Sequence, residues 1–361
     1  MGMKYMENNL LKHEFETRFN NENRGKQIND LTPFEIEFPK GTVNLVEKYD
    51  NLERILNSEW HPHVTLGAAI KDGGLLTDHG VEHVESVMHH AYCILGPKIR
   101  FLCGYEIYLL LLSIHFHDLG NVTGREHHEE KIVEVFEKLG CSLELDNVER
   151  MWVNQIARAH GGYEGEDKDT IKHIDVDDTC KGIKVRAKVL AAILRFADEI
   201  SDDLNRSKFN GVDIPKESQA YHLYSHFLEP VSISGETLKF HFHIPYEYTQ
   251  ARVGKGKEEV YIYDEIMERL GKCMREFDYC KRYAGEFLNL STIDVRIDIL
   301  QKYKVIDKIT FRMGLFGYPD EKAFTLGHYI DKKNTVSTGD KIIKYSTGEE
   351  LQEALCEVDY V

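Results

Sequence analysis

Residues 105–116, Tyr-Glu-Ile-Tyr-Leu-Leu-Leu-Leu-Ser-Ile-His-Phe, constrain this chain more than any other segment. The run is too long for a typical strand and is apolar almost all round. A helix without a polar face must be surrounded by other elements, so this one is expected at the centre of a helical domain. Ser113 and the histidines beyond it break the apolarity. The run also falls short of the eighteen or so apolar residues that span a bilayer.

The flanking segments read as helices around this centre. Val43, Leu45, Val46, Tyr49, Leu52, Ile55 and Leu56 give an amphipathic helix over about 41–60. A loop with His61, Pro62, His63 and Gly73-Gly74 follows. Helices are expected near 78–95, 105–116, 126–139, 146–159 and 183–202, with no strand alternation among them. After about residue 210 the pattern changes. Val231 to Ile244 alternates about Gly235-Glu236 like a hairpin. A long helix is expected over 258–289 and a strand over 292–299, and the last sixty residues mix short strands and turns. The expected fold is mainly α: a polar, irregular but partly ordered arm at 1–40, a helical domain at 41–210 and a smaller α+β extension at 211–361.

Composition narrows the function classes. The formal charge of −16 argues against duplex DNA, whose binders neutralise phosphates with basic surfaces. A small anionic substrate remains compatible, since local basic residues can line one cleft. The polar, acidic N-terminus has no apolar signal core, so a cytoplasmic location away from membranes is expected. Seven cysteines without a C-x-x-C pair read as reduced structural thiols. Histidine is the unusual component, with 18 residues, many between His61 and His173.

Four segments carry the chemistry: Asp78-His79-Gly80-Val81-Glu82-His83, His115-Phe116-His117-Asp118-Leu119-Gly120-Asn121, Arg125-Glu126-His127-His128, and Leu194-Arg195-Phe196-Ala197-Asp198-Glu199. Imidazole and carboxylate together bind divalent manganese, iron, cobalt or nickel. A His on one helix, a His-Asp pair at a helix end and an Asp on a later helix can surround one cation. Open positions then remain for water and a phosphate oxygen. His79 stands four residues before His83, which on one helix places both on one face. Arg125, Arg195 and Arg206 flank these blocks, and arginine suits bidentate phosphate binding. Lys181 and Lys184 are further cationic candidates.

The pattern His83…His117-Asp118…Asp198 resembles the HD superfamily of metal-dependent phosphohydrolases. HD-L-G at 117–120 and L-R-F-A-D-E at 194–199 carry the likeness, which covers roughly 75–210. There is a looser similarity to HD hydrolases of bacterial conflict systems. The resemblance implies that His83, His117, Asp118 and Asp198 ligate a first divalent metal (Mn, Mg, Fe, Co or Ni). Asp118 would also orient the attacking water. His160, in Ala159-His160-Gly161-Gly162, matches a histidine of two-metal members. His128 or His160 would stabilise charge or protonate a leaving group. His79 would contact substrate or, with the match shifted by one helical turn, be the first ligand itself; Arg125, His127, Arg195 and Arg206 would contact substrate. No G-Y-P triplet follows the HD pair, which argues against cyclic-di-GMP cleavage.

Three readings of activity stay open. The first is hydrolysis of a nucleotide, foremost a deoxynucleoside triphosphate to nucleoside and triphosphate, with a role in antiphage defence and assembly into a homo-oligomer. The second is phosphodiester cleavage of a cyclic nucleotide, an oligonucleotide or a single strand. The third is a nucleotide-sensing or scaffold protein without turnover. Outside the constellation the residues read as structural. His61 and His63 belong to a solvated loop, His89 and His90 to a surface, His115 to a core, and His241 and His243 to a strand. Asp202 and Asp203 cap or solvate a helix end.

Overall fold

The computed structural model describes residues 9–23, 36–41, 43–67, 75, 77–140, 144–207, 213–314 and 343–356. Gly73-Gly74, Cys141 and much of the last sixty residues lie outside them. Contacts divide the chain into two compact units. Unit 1 is Met1–Ala69, His79–Ser201 and Asp278–Asn289; unit 2 is Ile70–Asp78, Asp202–Phe277 and Leu290–Val361. The fold is mainly α with an α+β extension, as the sequence predicts.

Unit 1 contains α1 (Leu10–Asn23), α2 (Leu45–Ile55), α3 (His61–Gly67), α4 (Val81–Leu95), α5 (Gly104–Phe116), α6 (Ile132–Leu139), α7 (Asn147–Arg158) and α8 (Ala187–Glu199). Every residue of α5 is buried, and α1, α4, α7 and α8 pack on it. Its helical form follows from its leucines, which lose little rotamer freedom in a helix. Each buried leucine contributes about 1.5–3 kcal/mol relative to exposure. The first turn is fixed by Glu106, which accepts from Cys103 N–H at 2.9 Å and pairs with Arg186 at 2.7 Å.

Several expectations are corrected here. Within the N-terminal arm, where no helix was named, Leu10–Asn23 form α1 and bury Leu11, Phe15 and Phe19 at a helical spacing. His61 and His63 lie in α3 rather than in a loop. Pro62 sits in its first turn, where the missing N–H would have no intrahelical acceptor. A π-helical turn, Leu56–Trp60, joins α2 to α3. Arg125–Lys131 form turns, so α6 starts only at Ile132. A short hairpin, β1 (Thr179–Cys180) with β2 (Ile183–Lys184), precedes α8, where no strand was expected.

Unit 2 is built on a four-stranded sheet of order β3-β4-β7-β8. The strands are β3 (Ser232–Ser234), β4 (Thr237–Pro245), β7 (Thr292–Gln301) and β8 (Lys304–Gly314). The hairpin about Gly235 forms as expected. β4 pairs with β7 in parallel, an arrangement that needs a long connection. That connection carries β5 (Val253–Lys255), β6 (Glu258–Val260) and α10 (Ile262–Ala284). Glu258–Val260 is therefore strand, and the long helix begins later than expected. Leu238, Phe240, Phe242 and Ile244 of β4 share a buried face with Ile293, Val295, Ile297 and Ile299 of β7. Helices α9 (Gln219–Phe227) and α11 (Gly348–Cys356) complete the described part.

Candidate metal centre

Three helix ends and two turns of unit 1 bring the site together. His83 lies on the buried face of α4. His79 does not share that helix, because α4 starts at Val81 after the Gly80 cap. The chain before the cap nevertheless brings His79 Nδ1 to 2.8 Å from Asp118 Oδ2. His117 is the C-cap of α5, and Asp118 follows with φ −105° and ψ −2°. Asp198 comes from the last turn of α8. His160 follows the C-cap of α7, and His128 comes from the turns before α6.

Asp118 stands between two donor groups. On its Oδ2 side are His79, His83 Nε2 at 3.6 Å and His117 Nε2 at 3.3 Å. His83 Nε2 also lies 3.1 Å from Asp198 Oδ1. On the Oδ1 side are His128 Nε2 at 3.1 Å and His160 Nε2 at 3.8 Å. Three sets could each hold a metal ion: His79, His83 and Asp118; His83, His117 and Asp198; Asp118, His128 and His160. In each set the donor atoms lie within 4.8 Å of one another.

The ring orientations suit a cation. His117 Nδ1–H donates to the Ile114 carbonyl and His160 Nδ1–H to the Ala157 carbonyl, both at 2.7 Å. His128 Nδ1 faces the Arg125 carbonyl at 3.2 Å and Glu129 Oε2 at 3.0 Å. Outer bonds of this kind fix the tautomer and leave the Nε2 lone pair facing inward. The Nε2 atoms of His83 and His117 are 3.3 Å apart, as are those of His128 and His160. Two lone pairs at that distance repel unless a proton or a metal ion stands between them. The donor set therefore fits one divalent cation, with room for a second that shares Asp118.

The electrostatics agree. Burial disfavours charge on His117, yet Asp118 and Asp198 outweigh it and raise its pKa to about 10. Burial likewise opposes ionisation of Asp118, but His117 and His79 hold it well below the usual carboxylate range. Asp198 is lowered against burial by His117 and His83. His160 is pushed down to about 3 by burial and by His117 and His128. Without metal, the carboxylates hold a proton on His117, while burial and the neighbouring histidines keep His160 neutral.

Other expected residues fall out differently. Arg125, partly exposed, has Nη1 at 3.3 Å from Asn121 Oδ1 and 3.7 Å from Asp118 Oδ1. The His127-His128 pair is split: His128 is buried in the cluster, whereas His127 is exposed with φ 53°. Arg195 is buried. It donates to Thr170 Oγ1 at 2.9 Å and to the Ala159 carbonyl at 3.4 Å, and lies over the Tyr279 ring. These bonds brace the segment that carries His160. Arg206 belongs to unit 2, where its Nε donates to the Asp78 carbonyl at 2.8 Å. Lys181 pairs with Asp146 and Glu149.

His90 is buried against Ser201 Oγ at 2.9 Å, and so is no surface residue. Asp202 is buried with Arg269 and Ser225 in unit 2, while Asp203 caps Leu204–Arg206. His61 is also buried, in a chain of bonds from His61 Nε2 to His115 Nδ1 (3.2 Å) and from His115 Nε2 to Tyr49 Oη (3.0 Å).

Sequence reasoning missed Asn121 and Glu129. Asn121 Nδ2 donates to Asp118 Oδ1 at 2.9 Å. Glu129, lowered to about 2 by His128 against the effect of burial, buttresses that ring. Two glycines permit the close packing. A Cβ on Gly120 would stand 1.8 Å from the His128 carbonyl oxygen, and one on Gly162 would stand 1.7 Å from Glu129 Oε1.

Comparison with known proteins places this centre in a family. Neither the curated proteins nor the solved structures hold a match. A family model described as HD-CE matches residues 73–272, more than half of the chain. The matched segment contains His79, His83, His117, Asp118, His128, His160 and Asp198, so the cluster and the family point together to an HD-type, metal-dependent hydrolase. The chain belongs to the HD-CE family.

Proposed function

We propose that the protein is a metal-dependent phosphohydrolase acting on a nucleotide. The observation that carries this reading is Asp118, whose two oxygens face two separate sets of inward-pointing imidazoles. His83, His117, Asp118 and Asp198 would hold one divalent cation; Asp118, His128 and His160 would hold a second. When bound, such cations polarise a phosphoryl oxygen and lower the pKa of water.

The remaining groups position and shield. Asn121 and His79 fix the two oxygens of Asp118 in orientation. Arg125, at the partly open edge, is placed to grip a phosphate oxygen with its guanidinium. If only one cation binds, His128 Nε2 can carry a proton beside the departing oxygen instead of serving as a ligand. A cavity lined by Glu129, Arg158, Ala159, Gly161, Thr170 and His173 flanks His160. It offers polar groups to the part of a substrate beyond the reacting phosphate.

Within this reading we favour a deoxynucleoside triphosphate, on the resemblance to HD phosphohydrolases. The decisive experiment screens manganese, magnesium, cobalt, nickel and iron(II) against dNTPs, NTPs, cyclic nucleotides and short single strands, with Asp118→Ala as control. Metal-dependent release of triphosphate from a dNTP, absent in the variant, is the expected result. Loss of a cyclic or oligonucleotide substrate without triphosphate would instead assign phosphodiester chemistry. Metal binding without turnover of any substrate would sink the enzymatic reading. A role in antiphage defence follows the same resemblance. Phage protection undiminished by His117→Ala would remove it.

A further inference from the structure

A second group of metal-type donors lies in unit 2 and forms no part of the centre above. His241 and His243 alternate along β4 and so project to the same face of the sheet, opposite Leu238, Phe240, Phe242 and Ile244. Their rings are 4.1 Å apart between centroids. Glu229 is clamped beside them by its own backbone, whose N–H donates to the His241 carbonyl at 2.9 Å. Its carboxylate reaches both rings: Oε1 lies 2.7 Å from His243 Nε2, and Oε2 lies 3.1 Å from His241 Nδ1. The three residues could hold a metal ion, with donor atoms within 4.8 Å of one another.

His241 has a second carboxylate behind it. Its Nε2 is 3.0 Å from Asp298 Oδ2, on the neighbouring strand β7. Asp298 is fully buried and held by both Arg296 Nε (2.9 Å) and Nη2 (2.6 Å). A neutral imidazole has one N–H, so His241 cannot satisfy both carboxylates. If Nε2–H donates to Asp298, the Nδ1 lone pair faces Glu229 Oε2 at 3.1 Å. If Nδ1–H donates to Glu229, the Nε2 lone pair faces Asp298 at 3.0 Å. A metal between His241 and Glu229 removes the conflict, because it takes the Nδ1 lone pair and leaves Nε2–H to donate to Asp298. The carboxylate–histidine–metal arrangement, with Asp298 orienting the ligand from behind, is the recurrent outer-shell pattern of zinc sites.

We propose that His241 Nδ1, His243 Nε2 and the Glu229 carboxylate form a second metal site, of the class that takes zinc or a similar imidazole-preferring divalent cation. Two imidazoles and one carboxylate supply three ligands. All three side chains are partly exposed, so the remaining position is open to water or to an incoming group. The site is independent of the Asp118 centre, and its existence does not depend on the activity assigned there.

The test is zinc stoichiometry on the full chain, stripped with chelator, reloaded with zinc alone and measured by elemental mass spectrometry. Wild type is compared with His241→Gln/His243→Gln and with Glu229→Gln, which keeps the side-chain volume; far-UV circular dichroism checks the fold. The same comparison is made on an Asp118→Ala background. The double variant is expected to bind one equivalent less than its parent on both backgrounds, with weakened zinc retention in Glu229→Gln. Equal stoichiometry in folded wild type and double variant would overturn the proposal and leave the cluster as a hydrogen-bonded network of two histidines and two carboxylates.

Discussion

At the scale of single residues, Asp118 is the joint of the candidate centre and Asn121 its brace. The Asn121→Ala change frees Oδ1 of a 2.9 Å bond without touching a proposed ligand. Loss of such an outer partner lowers metal affinity by roughly 10- to 100-fold. Isothermal titration with manganese on the stripped protein reads this directly, and an unchanged affinity would remove Asn121 from the site. Gly120→Ala acts differently. Its methyl would collide with the His128 carbonyl, and overpacking of this kind costs about 1–3 kcal/mol. Chemical denaturation should show that loss, along with impaired binding by the His128–His160 side; wild-type stability would refute the close contact. The His117-Asp118 pair and Asp198 were legible because their order along the chain matches a family pattern. Asn121 and Glu129 were not, since nothing in a sequence distinguishes an amide or carboxylate that supports a ligand from one that faces solvent.

At the scale of elements, α3 shows how local rules mislead. His61, Pro62 and His63 read as a loop because proline breaks helix interiors, yet proline is at home in a first turn. The consequence is a buried histidine with a depressed pKa. Burial, followed by the charges of His117 and His83 and opposed by Asp118, lowers His61 to about 3. An unfolded histidine titrates near ~6.5. Between these values the unfolded chain binds a proton that the folded chain excludes. This contribution to stability is therefore complete above about pH 6.5 and is lost as pH falls towards 3, on the order of a few kcal/mol. Replacing His61 with Gln should flatten the loss of stability over that window, measured by urea denaturation at stepped pH. A slope identical to wild type would show that His61 is not held neutral. The strands of unit 2 present the converse case. Alternation revealed β4 and β7 individually, but their parallel pairing depends on contacts across more than fifty residues, which no local pattern encodes.

At the scale of the whole molecule, the two units differ in what they hold and in how they can be observed. Unit 1 is discontinuous: Asp278–Asn289 returns to it between two segments of unit 2, Asp202–Phe277 and Leu290–Val361. Tyr279 and Tyr283 explain the return, since both hydroxyls donate to Asp169 Oδ1 and Tyr279 also accepts from Ile171 N–H. A composition change near residue 210 could mark a boundary but could not reveal this re-entry. Both tryptophans, Trp60 and Trp152, lie in unit 1. Tryptophan fluorescence therefore follows the unit that carries the Asp118 centre. A cation bound only to the folded state stabilises it by about 2.7 kcal/mol at a hundred times its dissociation constant. With roughly 2–4 °C per kcal/mol for a unit of this size, the fluorescence-detected midpoint should rise by about 5–10 °C with magnesium in such excess. Asp118→Ala should cut the rise sharply, because two of the three donor sets lose their shared carboxylate and only His83, His117 and Asp198 remain. Magnesium binding to wild type without a shift of the tryptophan midpoint would place the bound ion outside unit 1 and overturn the assignment of the centre.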